Sequence, residues 1–118
     1  MSKYFTISEM QCKCGCGING INESFLYLLD NAREIAGVSF VINSGYRCAK
    51  HNAEVGGSAT SSHLEGLAAD IKADTSNKRF RILTGLLKEG FVRIGIGKDF
   101  VHVDVDPDKD SEVIWLYY

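Results

Sequence analysis

No apolar run in this sequence approaches the roughly 20 residues of a membrane-spanning helix, so no spanning segment is expected. A charge excess is lacking as well. The formal net charge of −2 and pI near 5.9 leave nucleic acid without an electrostatic attraction. Repeats, low-complexity tracts and linker-like stretches are missing, and the one proline is Pro107. With 118 residues, that predicts a single domain, residues 1–118, around one core. The opening MSKYFTISEM has no secretory signal character. The chain is therefore expected to be made in the cytoplasm, and any work outside it needs another route. What is present in quantity, 45% hydrophobic and 24% charged residues, suits a soluble globular domain, expected here as a monomer.

Cysteine is the first unusual feature. Cys12, Cys14 and Cys16 alternate within five residues, and Cys48 stands alone. Without an export signal, four thiols point to a reduced compartment. The spacing is tighter than the CxxC knuckle of many structural zinc sites. Free thiols, a disulfide from Cys48 to the cluster, and a second metal on all four cysteines remain open.

The coarse pattern predicts an α+β domain. Asn22 caps a helix carrying Phe25, Leu26, Leu28, Leu29, Ala32 and Ile35, with Gly37 past its end. Thr75 or Ser76 caps a second long helix that Gly90 stops, and residues 48–55 allow a short one. Strands are expected at 38–43, 69–73, 91–96, 100–105 and 113–118, the third and fourth joined by the turn Gly97-Lys98-Asp99. The result is a mainly antiparallel sheet of four or five strands packed with two longer helices.

Chemistry gathers around two histidines. In FVHVDV, alternation sends Val101, Val103 and Val105 to the core and leaves His102 and Asp104 facing solvent or a cleft. In SSHLEGLAADI, Asp70 lies in an apolar run where an unpaired carboxylate costs several kcal/mol. A metal on that charge removes the difficulty. Gly66 argues against one helix presenting both His63 and Asp70, and favours a turn that delivers Asp70 onto a strand. His63, Asp70 and His102 together offer the three N and O ligands of a catalytic zinc site. DVDPDKDSE does not match the EF-hand calcium loop, since Lys109 stands where glycine is needed. It reads as a solvated loop around Pro107. His51 reads as a helix-surface residue, and Ser61 and Ser62 as caps of the turn before His63.

The segments SGYRCAKHNAEVGGSATSSHLEGLAADI and GIGKDFVHVDV resemble the zinc D-alanyl-D-alanine carboxypeptidase and murein endopeptidase family, over residues 5–106. That family shares its fold with lysostaphin-type peptidases and the hedgehog domain. Its pattern SxHxxGxAxD is met by Ser61 through Asp70. The resemblance implies Zn²⁺ on His63, Asp70 and His102, and a substrate-gripping or oxyanion-holding arginine at Arg47. It also implies a carboxylate base three residues before the last ligand, at Asp99. Asp104 would orient a ligand histidine, with Ser61 near the ligand turn. The implied activity is hydrolysis of peptidoglycan stem or cross-link peptides at the bacterial cell wall after release, as in a phage endolysin. An inactive zinc-binding domain of the same fold is the alternative. A thiol redox module, or an interaction module built on the four cysteines, is a third reading.

Overall fold

Side-chain caps set the two long helices. In the computed structural model, which describes residues 2–117, the Asn22 side chain accepts from the Phe25 amide and opens α2 (Glu23–Ala36). Gly37, at φ 69°, closes it with a left-handed cap that a side chain would resist. Of the two candidate caps for the second long helix, Thr75 is the one used: it accepts from Lys78 and opens α4 (Ser76–Glu89), which Gly90 ends. Two short helices, α1 (Ile7–Met10) and α3 (Ala49–Glu54), flank α2 and the first strand. Thr6 and Glu9 hold α1 with a reciprocal capping box, a signal unread in the sequence.

Five strands, β1 (Ile42–Ser44), β2 (Ala68–Lys72), β3 (Arg93–Ile96), β4 (Phe100–Asp104) and β5 (Val113–Leu116), form one sheet in the order β1-β2-β4-β3-β5. Three pairings are antiparallel, as expected, and the fourth, β3 with β5, is parallel. The sheet is therefore mixed. The expected strand at 38–43 is found as Ile42–Ser44, one residue past its expected end, and its register against β2 shifts between those two residues. The expected last strand reaches Tyr118, which lies outside the described residues; β5 ends at Leu116.

One sheet face is apolar and the other is not. Ile71, Ile94, Val101 and Val103 are fully buried against Phe25 and Leu29 of α2 and Ile82 and Leu86 of α4. Each such side chain contributes roughly 1.5–3 kcal/mol by leaving water. The two helices approach closely at Gly85, where a Cβ would strike the Ala32 carbonyl and Ala36. That layer is the core. Chemistry is left to the opposite face.

Candidate metal centre

His63 arrives on a single 3-10 turn (Ser62–Glu65), whose entry Ser61 caps by accepting from the His63 amide at 3.3 Å. Gly66, at φ 70°, ends the turn and packs so tightly on Gly20 that no side chain fits there. The chain then enters β2, which carries Asp70. Register does the rest: Asp70 lies directly opposite His102 on β4, so both project from the same face. Asp70 Oδ1 stands 3.3 Å from His63 Nε2 and 2.8 Å from His102 Nδ1. The structure thus brings together the three residues singled out as ligands.

Proton positions explain what this triangle wants. His63 Nδ1 lies 2.7 Å from the Gly45 carbonyl, which can only accept, so that nitrogen carries the proton. His102 Nε2 lies 2.7 Å from Asp104 Oδ2, a buried carboxylate that also takes Arg93 Nε at 2.6 Å. In neutral rings the remaining nitrogens are lone pairs, and both point at an oxygen of Asp70 that offers a third. Three converging lone pairs make an arrangement that a cation satisfies. Each distal nitrogen is already held, as in metal-ligating histidines generally.

Titration follows the same charges. Burial works against ionised Asp70, but hydrogen bonds from His102 and His63 hold its carboxyl well below the usual carboxylate range. Burial would likewise lower His102, yet Asp104 and Asp70 push it up. Asp104, despite burial, is held low by His102 and Arg93. The pull on a His102 proton is the pull a cation in its place would feel.

The triangle opens onto a cavity of about 350 Å³ lined by Arg47, Ser58, Phe100, Lys109, Trp115 and Tyr117 among others. Arg47 gives 3.1 Å to Ser61 Oγ, while its Nε is buried without a partner. Asp99 sits in the exposed β3–β4 turn and is not among the lining residues. Asp104 is fully buried rather than solvated. The loop around Pro107 is also less solvated than expected, since Asp106 is buried and accepts Ser62 Oγ at 2.8 Å.

Sequence reasoning missed Arg93, Trp115 and Tyr117. The alternation in VIWLYY places Trp115 and Tyr117 on one face, a signal that was there to be read. Their rings lie over Gly95, where a Cβ would meet Tyr117 at 2.5 Å and Trp115 at 2.7 Å. From there Trp115 reaches the His102 ring at 5.5 Å between centroids, and Arg93 stacks on Trp115 at 4.9 Å.

The four cysteines lie apart from this cavity, as free thiols. Burial works to raise the Cys12 thiol, but hydrogen bonding by Cys48 and Cys14 brings it down to about 6.

A protein-family model described as Peptidase M15 matches residues 3–104. No curated protein matches the chain. The chain belongs to the Peptidase M15 family, and with it to the metallopeptidases.

Proposed function

We propose that this family member is a zinc peptidase that hydrolyses stem or cross-link peptides of peptidoglycan. The observation that carries the reading is the convergence of His63 Nε2, Asp70 Oδ1 and His102 Nδ1 at the floor of an open cavity. Two imidazoles and one carboxylate, open on one side, suit zinc in a catalytic rather than a structural setting. When bound, zinc supplies a Lewis acid that polarises a peptide carbonyl and lowers the pKa of a water.

The protein's own groups do the remainder. The permanent charge of Arg47, which lines the cavity, holds a developing oxyanion or grips a substrate carboxylate. Asp99 takes the proton of the attacking water and returns it to the leaving amine. Its support is its place three residues before His102 and an exposed turn leading directly into Phe100, which lines the cavity. Phe100, Trp115 and Tyr117 give the substrate an aromatic side of mutually tilted rings, with Phe100 and Tyr117 at 5.1 Å between centroids. The enzyme acts as a monomer at the bacterial cell wall after release from the cytoplasm, in the manner of an endolysin.

Mass spectrometry of purified peptidoglycan fragments tests this, using zinc-loaded protein beside Asp70→Ala and Asp99→Ala. Loss of a terminal alanine identifies a carboxypeptidase, and a cut within the stem or cross-link an endopeptidase. Both variants are expected to be silent. Cleavage that survives in Asp99→Ala removes Asp99 as the base. No cleavage by protein with zinc bound would leave a binding domain of the same fold.

A further inference from the structure

A second cluster, about which the peptidase reading says nothing, has the geometry of a metal site. Cys12, Cys14, Cys16 and Cys48 bring their sulfurs within 4.8 Å of one another. The Cys12 sulfur is 3.4 Å from that of Cys14 and 3.6 Å from that of Cys48, and Cys14 and Cys48 are 3.8 Å apart. A disulfide needs sulfurs at about 2.05 Å. Four thiolates around one zinc, at bonds of about 2.3 Å, form a tetrahedron with edges of about 3.8 Å. The observed separations match the tetrahedron and not the bond. Cys12 is moreover close to two sulfurs at once, so no single pairing is favoured.

The surrounding backbone fits the same reading. Residues 13–20 are all exposed, so this loop has almost no apolar surface with which to hold its shape. Gly15 and Gly17, at φ 88° and 76°, bend the alternating cysteines around a point instead of along a line. Amide groups are aimed at sulfur: Cys48 N–H gives to Cys12 Sγ at 3.4 Å, and His51 N–H to Cys48 Sγ at 3.4 Å. Such donors offset the charge of gathered thiolates.

We propose that Cys12, Cys14, Cys16 and Cys48 form a closed, four-thiolate structural zinc site that pins the 11–20 loop to the start of α3. All four positions around the ion come from the protein, so this site does no hydrolysis. Its effect is mechanical. Cys48 directly follows Arg47, and the neighbouring backbone is already tied, Tyr46 N to Met10 O at 2.9 Å and Arg47 N to His63 O at 3.1 Å. The ion fastens Arg47 from its other side.

Cobalt titration of the reduced, metal-stripped protein tests the site independently of activity. The His63→Ala/Asp70→Ala variant is expected to bind one cobalt with an intense thiolate-to-metal charge-transfer band. The unsubstituted protein should bind two, and Cys14→Ser/Cys16→Ser one, without that band. Both cysteines are exposed, so their replacement leaves the core untouched. Protein purified without chelator should carry zinc that survives the His63→Ala/Asp70→Ala change. A ligand variant that binds no cobalt, or binds it without the thiolate band, overturns the proposal. So does a disulfide among the four in freshly purified protein, or iron in place of zinc. Loss of one cobalt of two in the His63→Ala/Asp70→Ala variant, with the thiolate band kept, is the loss of the peptidase centre alone and supports the proposal.

Discussion

Asp104 touches His102 and Arg93 at once, so a single carboxylate both sets the tautomer of a candidate ligand and neutralises a half-buried cation. Asp104→Asn keeps the shape but loses the charge. We expect it to weaken zinc at His63, Asp70 and His102 by about 10–100-fold, as loss of such partners generally does. Competition with a chromophoric chelator measures this, and unchanged affinity would remove Asp104 from the centre. Arg47→Lys keeps a charge but not the planar fork. Its kcat/KM should fall on the order of 10²-fold with zinc content unchanged, in the range of lost oxyanion donors. At this scale the ligands were legible because a fixed spacing, SxHxxGxAxD, carries His63 and Asp70. Arg93 was not. Its partner Asp104 lies 11 residues away, and only the β3–β4 register brings the two side chains into contact.

Two glycines show how elements, rather than residues, divide the work. Gly85 sets the α2–α4 distance, and its missing side chain is what lets Ala32 and Ala36 approach. Gly85→Val should cost roughly 1–3 kcal/mol through overpacking, read from denaturant midpoints. Zinc binding should not change, since the helices lie on the far face of the sheet. Comparable losses of zinc and stability would show that the two faces are coupled. Both helices were legible from their caps and stripes, because those signals are local. The direction of β5 was not. Alternation reads identically in parallel and antiparallel strands, and the choice rests on the 105–112 connection that carries the chain past β3.

That connection binds the whole molecule. Asp106, 7% exposed, accepts Ser62 Oγ beside the His63 turn, and Arg93 reaches the Asp110 carbonyl. Although burial opposes it, hydrogen bonds from Ser62 and the Asp108 amide hold the Asp106 carboxyl below its ordinary value. A carboxyl with a lowered folded pKa stabilises the fold above its unfolded value, about 3.9, and loses that contribution as pH falls through the folded one. Asp106→Asn should therefore be less stable near neutrality, with the gap closing below about pH 4 in thermal melts. A gap that persists at low pH would mean that packing, not charge, is the cause. The strand reached by this connection supplies Trp115 and Tyr117 at the sheet edge, outside the layer that α2 and α4 bury. It is also the last described element to leave the ribosome. A nascent chain that has emerged only to residue 112 already holds the core strands and the three candidate ligands, yet lacks Trp115 and Tyr117 and keeps Phe100 alone of the three rings that line the cavity. The aromatic wall beside His102 is thus completed only by the last described strand, a consequence of the order in which the strands follow one another along the chain.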